Sequence, residues 1–259
     1  EMRELVRETF ENTYNILEAE NGLQGLEIAT VRIPDLIISD VMMPEMNGFE
    51  FCKKLKTDSR TSHIPIILLT AKDTPVDHLQ GLETGADLYL TKPFSTKILA
   101  LSVRNLFISR EKIRERFAHR LTTLSPVTKT ETTEGGKAPE TVIEEKDNYV
   151  NSIDKEFLDN IMQVVDEHMD NPEFSVAMLS RKVAMSVPVL YRKLKATTGM
   201  SVNDFIKSLR MKKAAQLLQT KQYTVSTTAL AVGYCDRKYF SKEFKKQYGV
   251  TPTEFMESL

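Results

Sequence analysis

Cysteine, histidine and long apolar runs are scarce in this chain of 259 residues, which has 2 cysteines and 4 histidines. Cys52 and Cys235 lack the spacing of metal ligands, which excludes a disulfide framework or a zinc site and favours a reducing compartment. The histidines are scattered and form no metal or catalytic set. The longest apolar runs, such as residues 64–71, are far shorter than the roughly 20 residues of a membrane helix, and no targeting segment opens the chain. We therefore expect a soluble cytoplasmic protein without membrane contact.

The net charge of −1 conceals an asymmetry along the chain. Residues 1–100 contain 10 Lys+Arg and 16 Asp+Glu (−6), and residues 101–170 contain 10 and 14 (−4). Residues 171–259 contain 15 and 6 (+9). This polarity predicts a nucleic-acid-binding region carried by an acidic partner domain, although a solvated basic helical surface explains the charge equally well.

Short apolar segments alternate with amphipathic ones over the first hundred residues. Strands are predicted at 14–18, 35–40, 64–70 and 87–90, and helices at about 22–32, 47–57, 75–84 and from 95 onward. The two middle strands are almost unbroken Ile, Leu and Val, as in parallel strands covered on both faces. The alternation predicts an α/β fold with a doubly wound parallel sheet.

The helix that begins at Ser95 is predicted to continue through about Arg120, longer than packing on a sheet requires. Its apolar residues recur at spacings of four and three, interrupted by Arg110: Leu99, Val103, Leu106, Ile113 and Phe117. We expect the first half to pack on the sheet and the second to form a two-stranded coiled-coil seam. An ordinary amphipathic linker helix fits the same pattern.

The composition changes twice after this helix. Residues 121–150 are rich in Thr, Glu, Lys, Pro and Gly without apolar periodicity, which predicts a flexible linker. Residues 151–259 have helical patterns to the end, which predicts an all-α domain. The predicted organisation is thus a domain at 1–120, a linker at 121–150 and a domain at 151–259.

Asp40, Thr70 and Lys92 each stand at or just beyond the end of a predicted strand. The carboxyl ends of parallel strands share one edge, where ligand chemistry in such sheets takes place. A carboxylate, a hydroxyl and an ammonium at that edge suit a nucleophile that accepts a phosphoryl group whose oxygens the other two groups bind.

Residues 1–110 resemble the response-regulator receiver family. Four stretches carry the resemblance: Ile38-Ser39-Asp40-Val41-Met42-Met43-Pro44, Leu69-Thr70-Ala71-Lys72, Gly85-Ala86-Asp87 and Thr91-Lys92-Pro93-Phe94. The resemblance implies a flavodoxin-like fold in which Asp40 is the phosphoacceptor, Thr70 the switch hydroxyl and Lys92 the phosphate-pairing lysine. It also implies a cis peptide bond before Pro93.

The same resemblance implies a Mg²⁺ ion held by Asp40 and the backbone carbonyl of Met42. Tyr89 matches the aromatic residue that turns inward on activation, and a half-buried core aromatic fits this position as well. The family begins with a strand that ends in paired acidic residues, whereas this sequence begins within the following helix. We therefore expect the first strand to be missing and Mg²⁺ to bind only in an intact receiver.

Two helix-turn-helix patterns occur in the basic region. The first comprises residues 176–184, a turn at 185–186 and residues 188–196; the second comprises 225–232, a turn at 233–235 and 236–248. A long helix at 202–219 joins them. Pro188 suits the first turn of a helix, and Asp236 is a plausible N-cap for the second recognition helix.

Each recognition helix separates apolar from cationic residues. Leu190, Leu194, Phe240 and Phe244 are core candidates, and Tyr239 is assigned to packing. The residues predicted to contact DNA phosphates or base edges are Ser186, Val189, Arg192, Lys193, Lys195, Arg237, Lys238, Ser241, Lys242 and Lys245.

Residues 155–258 resemble the AraC family DNA-binding domain. The second pattern carries the resemblance in Gly233-Tyr234, Tyr239-Phe240-Ser241-Lys242-Glu243-Phe244-Lys245-Lys246 and Gly249-Val250-Thr251-Pro252. It implies that paired recognition helices read two successive major grooves of double-stranded DNA. Residues 187–189 depart from the pattern because they are apolar where base reading is expected.

A receiver followed by an AraC-type domain resembles the C-terminal end of hybrid two-component regulators. This implies a histidine kinase phosphodonor, in cis or in trans, and a homodimer when active, with no enzymatic activity beyond accepting phosphate. Two alternatives stay open. One is a phosphatase-like enzyme with Asp40 as turnover nucleophile, although Met42 stands where a second carboxylate is usual. The other is a phosphorylation-independent interaction module with constitutive DNA binding.

Overall fold

The computed structural model describes residues 2–71, 84–122 and 152–259. The chain forms two compact units, the first comprising Glu1–Glu115 and Met185–Gly199, and the second Arg116–Ala184 and Met200–Leu259. The predicted helix at 75–84 and the predicted linker at 121–150 lie almost entirely outside the described residues. The domain boundaries inferred from sequence stay a prediction.

The elements of the first stretch, in chain order, are α1 (Met2–Phe10), α2 (Gly22–Arg32), β1 (Ile37–Asp40), α3 (Gly48–Thr57), β2 (Ile66–Thr70), β3 (Leu88–Thr91) and α4 (Thr96–Thr122). Those of the C-terminal stretch are α5 (Ser152–Glu167), α6 (Val176–Lys182), α7 (Val187–Thr198), α8 (Val202–Gln219), α9 (Val225–Ala231), α10 (Arg237–Tyr248) and α11 (Pro252–Glu257). The predicted helices in the described ranges agree with these bounds to within two residues at most ends.

The sheet of the first unit is parallel in the order β1-β2-β3. Successive β2 side chains point to opposite faces. Ile66 and Leu68 pack in one cluster with Ala29 of α2 and with Phe51, Cys52 and Leu55 of α3. Ile67 and Leu69 pack in a second cluster with Phe10, Leu99 and Val103 of α1 and α4. Both faces are covered, which explains the unbroken apolar strands and confirms the doubly wound fold.

The prediction of a strand at 14–18 was wrong. This segment forms no ladder with any described strand, and aromatic packing holds it instead. The Tyr14 ring stacks on Phe107 at 5.7 Å and meets Phe10 edge-on at 5.8 Å between centroids, while Ile16 packs on the second cluster. Alternating apolar residues predict burial of one face, but a strand also needs a hydrogen-bonding neighbour.

The first half of α4 packs on the sheet, as predicted. Leu99 and Val103 are buried in the core of the first unit. In the second unit, the half-buried Phe117 stacks on Phe205 of α8 with 6.3 Å between ring centroids and 8° between planes. Arg110, which interrupts the stripe, pairs with Asp87 at 3.0 Å. The coiled-coil seam of the second half stays a prediction.

The second unit is helical around α8, against which α5, α9, α10 and α11 pack. Side-chain caps start its helices: Thr224 and Thr251 form capping boxes, and Asp236 accepts bonds from the amides of Lys238 and Tyr239. The Asp236 N-cap predicted from sequence is confirmed, as is Pro188 in the first turn of α7. No helix within the described ranges is long and apolar enough to cross a membrane.

Candidate functional sites

Asp40 ends β1 at the carboxyl edge of the sheet and has two donors. The Lys92 ammonium donates to Oδ2 at 2.5 Å, and the Met42 amide donates to Oδ1 at 3.1 Å. The two charged side chains are 29% and 25% exposed, so solvent screens their attraction less than that of a surface pair. The structure thus brings together the two charged groups that the sequence predicted to meet.

Backbone bonds place the three strand ends side by side. The Val41 amide donates to the Leu69 carbonyl at 3.0 Å, and the Lys92 amide donates to the Thr70 carbonyl at 2.7 Å. The Thr70 hydroxyl donates to the carbonyl of Ala71 at 3.0 Å. Thr70 therefore lies on the strand between those that carry Asp40 and Lys92, and the cis peptide bond implied before Pro93 is present.

Gly48 closes the loop that follows Asp40. A Cβ at this position would lie 2.2 Å from the Asp40 carbonyl oxygen and 2.8 Å from the Val41 Cα, closer than real Cβ atoms approach. The Gly48 amide donates to the Val41 carbonyl at 2.9 Å, and the Asn47 side chain caps α3. Only glycine allows α3 to begin against the backbone of Asp40.

Tyr89 on β3 is held on the face of the sheet that packs against α3. Its hydroxyl is 2.7 Å from the Thr84 hydroxyl, and its ring lies against the first apolar cluster. Burial raises the pKa of the Tyr89 phenol above its usual value, so the side chain stays neutral at physiological pH. The predicted switch role of Tyr89 stays a prediction.

The described residues provide few ligands for Mg²⁺. Asp40 offers one carboxylate at this edge, and both its oxygens already have donors. No group of three or more His, Cys, Asp or Glu side chains suited to a metal occurs in the described ranges. Asp40 and the Met42 carbonyl would supply two oxygens of the octahedral shell of Mg²⁺, and this pair does not by itself form a complete protein site.

Helix α10 presents a cationic surface. Arg237, Lys238, Lys242 and Lys245 are exposed as predicted, while Phe240 and Phe244 are fully buried. Glu243, the acidic residue of this helix, pairs with Lys207 of α8 at 3.3 Å and is 13% exposed. The negative charge is thus directed to the neighbouring helix, so the exposed residues of α10 are predominantly positive. Exposed Lys and Arg side chains are the groups that neutralise phosphates when a protein binds DNA.

Two residues near the start of α10 differ in exposure. The Tyr239 side chain is 46% exposed, with its ring 5.8 Å from that of Tyr234. Tyr239 therefore packs against Tyr234 with one face of its ring, and the rest of the side chain is open to solvent. Ser241 is half-buried, and its hydroxyl donates to the Arg237 carbonyl at 2.9 Å.

On helix α7, in the first unit, the prediction that Lys193 contacts DNA was wrong. Lys193 was expected to be exposed, but it is fully buried and donates to the Ser59 carbonyl and, at 2.9 Å, to the Ser62 hydroxyl. It shares a helical face with Leu190 and Leu194, three positions before and one after it, which are also fully buried. The helical period alone would have placed it there.

Arg192 is exposed in part and is also engaged within the first unit. Its guanidinium donates to the carbonyls of Val31 and Arg32 at 3.1 and 2.8 Å. These carbonyls belong to the last turn of α2, where unpaired oxygens attract cations. Ser186 and Lys195 are exposed and Val189 is half-buried. The predicted DNA-contact role therefore rests, for α7, mainly on Ser186 and Lys195.

Family models match both of the regions that contain these residues. Residues 1–104 match the family model described as a response regulator receiver domain. Residues 179–258 match the family model described as a helix-turn-helix domain. The chain joins a response regulator receiver to an AraC-type helix-turn-helix domain.

Relatives of this receiver and AraC-type domain are curated proteins of two-component signalling. Histidine kinase P4 of Formosa agariphila is 37% identical over 98% of this chain and 17% of its own length. The phosphate regulon transcriptional regulatory protein PhoB of Pseudomonas aeruginosa is 44% identical over 40% of this chain and 45% of its own length. The chain spans less than half of either relative.

A solved receiver domain of a signal transduction histidine kinase from Syntrophus aciditrophicus is also similar. It is 32% identical, covers 52% of this chain and 91% of its own, and has a TM-score of 0.40.

The thiols of the two cysteines should differ in reactivity, and labelling of Cys235 should show whether DNA covers the start of α10. Burial raises the pKa of the Cys52 thiol to about 11, whereas Cys235 is exposed and directly precedes the Asp236 cap. Because the thiolate is the reactive form, we expect only Cys235 to react with a thiol reagent at pH 8 before denaturation. Duplex DNA should slow that reaction several-fold. Equal labelling of both cysteines in the native chain would contradict this assignment.

Proposed function

We propose that the chain is a phosphorylation-controlled, DNA-binding transcriptional regulator. The observation that carries the proposal is the pairing of Asp40 with Lys92 at the sheet edge of a chain that also contains the cationic helix α10. The phosphodonor is a histidine kinase, in the same polypeptide or in another. The target is double-stranded DNA in the cytoplasm.

The geometry at Asp40 supports phosphorylation of this residue. A carboxylate oxygen attacks the phosphorus of a phosphohistidine, the P–O bond forms, the P–N bond breaks and the imidazole leaves with its electron pair. Lys92, already 2.5 Å from the carboxylate, remains as the counter-charge for the phosphoryl oxygens, and the Thr70 hydroxyl donates to one of them. Met42, two residues on, supplies no carboxylate to hydrolyse the acyl phosphate, which supports a signalling rather than a turnover role.

DNA recognition rests on the exposed residues of α10. Lys242 and Lys245 bind phosphates and supply a salt-dependent affinity, while Arg237 and Lys238 at the helix start reach base edges. Ser186 and Lys195 of α7 contribute to a second, adjacent groove. A helix-turn-helix domain that uses both recognition helices reads two successive major grooves.

Selection from a random pool tests the function as a whole. The full chain is incubated with random duplexes at several salt concentrations, and the bound fraction is sequenced. We expect an enriched motif that spans two adjacent major grooves, because phosphate contacts alone carry no sequence information. Steep salt dependence without any enriched motif would reduce the charged surface to a non-specific electrostatic contact and refute the regulator proposal.

A control by phosphorylation is tested at Asp40. In a chain extended at its N-terminus by the acidic strand of an intact receiver, we expect acetyl phosphate to phosphorylate Asp40 and to tighten binding of the selected duplex about tenfold. Asp40→Asn in the same extended chain should do neither, because it lacks the anionic nucleophile. Asp58→Asn is the matched control, since Asp58 is a carboxylate of the same unit that pairs with Arg60. If acetyl phosphate does not change the DNA affinity of the chain with Asp40 intact, the result would favour the alternative of constitutive DNA binding.

Homodimerisation is assigned to a stripe on α4 that faces solvent. Ile98, Leu101 and Ile108 are 53%, 56% and 42% exposed, and Asn105 lies between them. The spacings of three, four and three are those of a coiled-coil seam, in which a central Asn fixes the register of two parallel strands. In such a pair with a second copy, Lys97 faces Ser102, Arg104 faces Ser109 and Glu111 faces Arg116, so like charges do not oppose one another.

Leu101→Glu tests this α4 stripe. A carboxylate at the centre of the seam would be desolvated beside its copy, so we expect the dimerisation constant of the phosphorylated chain to weaken at least about tenfold. Leu5→Glu is the control, because Leu5 is an exposed apolar residue on α1. Sedimentation equilibrium gives both constants. A Leu101→Glu chain that dimerises as the wild type does would exclude this surface.

A further inference from the structure

Arg210 is a buried cation in the middle of α8. It is 9% exposed, and none of the described residues places a carboxylate within ion-pairing distance of it. Its Nε has no hydrogen-bond partner in the described part of the chain. Burial without an acidic partner is unfavourable for a guanidinium, and burial lowers the pKa of Arg210 below its usual value. A charge placed at such a cost requires an explanation other than stability.

The contacts of Arg210 lie at the junction of three elements. One terminal nitrogen donates to the Asn171 carbonyl at 2.7 Å, in the loop after α5, and the other lies 3.5 Å from the Gly233 carbonyl. The guanidinium carbon is 5.8 Å from the centroid of the Tyr234 ring, a cation–π distance. Gly233 and Tyr234 form the turn between α9 and the second recognition helix, α10.

This turn has little freedom to move. Gly233 has a φ of +76°, and a Cβ there would lie 2.6 Å from the Met169 carbonyl and 2.9 Å from the Arg210 guanidinium. The backbone of the turn is therefore pressed directly against Arg210 and the loop after α5. A side chain at position 233 could not be accommodated without moving the turn.

Tyr234 connects Arg210 to the recognition helix α10, because its ring packs against residues of that helix. Its ring lies 5.8 Å from that of Tyr239 and 5.7 Å from that of Phe240, the exposed and the buried aromatic residues of the first turn of α10. A shift of Tyr234 would therefore change the direction in which α10 leaves the turn. The exposed residues Arg237 and Lys238 begin that helix.

We infer that Arg210 is a positioning residue that sets the orientation of α10, so that sequence discrimination depends on a side chain buried away from DNA. The inference rests on the proposed DNA-binding function and deepens it. Base reading requires side chains held within about 0.5 Å of the productive geometry, whereas phosphate binding tolerates larger displacements. Arg210 therefore acts on specificity rather than on electrostatic affinity.

The experiment compares three variants of the full chain. Arg210→Met keeps the length of the side chain and removes the charge, Arg210→Lys keeps the charge and removes the fork of donors, and Lys213→Met removes a cation from the same helix. Lys213 is the matched control because its side chain is 43% exposed and, among the described residues, pairs only with Asp166, at 3.4 Å. Each chain is titrated with the duplex selected from the random pool and with a scrambled duplex, at several salt concentrations, and its thermal unfolding is recorded.

We expect Arg210→Met to reduce the ratio of specific to non-specific affinity at least about tenfold, with an unchanged salt slope and an unfolding temperature equal to or above that of the wild type. Arg210→Lys should recover part of the ratio, and Lys213→Met should leave it unchanged. If Arg210→Met does not fold, the ratio for Arg210→Lys decides, with a fall of several-fold expected.

Two results would overturn the inference. One is that the wild type prefers the selected duplex over the scrambled one and that an Arg210 variant shows the same preference. The other is a variant in which specific and non-specific affinity fall in parallel with the unfolding temperature, which is the result of a merely structural role. A wild type that does not discriminate between the duplexes would instead refute the proposed function itself, and this inference with it.

Discussion

Parallel pairing of three short strands is the constraint on which the first unit depends. The register that sets Asp40 beside Leu69 and Thr70 beside Thr91 brings the ends of the strands to one edge. The same pairing directs alternate β2 side chains into two separate clusters, which attach α2 and α3 to one face and α1 and α4 to the other. The sheet edge that carries Asp40 and the hydrophobic core are thus two results of one hydrogen-bonded ladder, and neither could be moved without the other.

The second unit uses its cations in three different ways. Those on α10 face solvent and are available to an anionic partner, whereas Lys207 is neutralised by Glu243 on the neighbouring helix. Arg210 is buried against carbonyl oxygens and an aromatic ring. The net charge of +9 over residues 171–259 therefore overstates the charge that DNA would meet and hides the fact that two of the cations, Lys193 and Arg210, are part of the interior.

Local pattern predicted much of this architecture and failed where the answer depended on distant residues. The ends of β1 and β2, the Asp236 cap and the buried Phe240 follow from periodicity and end signals within a few neighbours. The segment at 14–18 failed because a strand exists only with a partner. The partner of Phe117 on α4 could not be predicted, because Phe205, which stacks on it, lies almost ninety positions away.

The two buried cations illustrate different limits. Lys193 could have been placed by its spacing from Leu190 and Leu194, and the expectation that lysine stays in solvent outweighed that signal. The sequence contains no signal that Arg210 is buried. Its partners are the backbone carbonyls of Asn171 and Gly233, and residue identity does not encode where carbonyl groups lie. Side-chain chemistry can be inferred from sequence, whereas a contact with the main chain requires the fold.

The close approach of Gly48 to the backbone of Asp40 restricts which substitutions this protein can accept during evolution. Every amino acid other than glycine carries a Cβ, and here that atom would overlap the backbone carbonyl of Asp40. Helix α3 and strand β1 are consequently joined at a point where no gradual series of substitutions is available. A lineage could alter the surfaces around this contact freely, yet it could change the contact only by relocating the loop and Asp40 together.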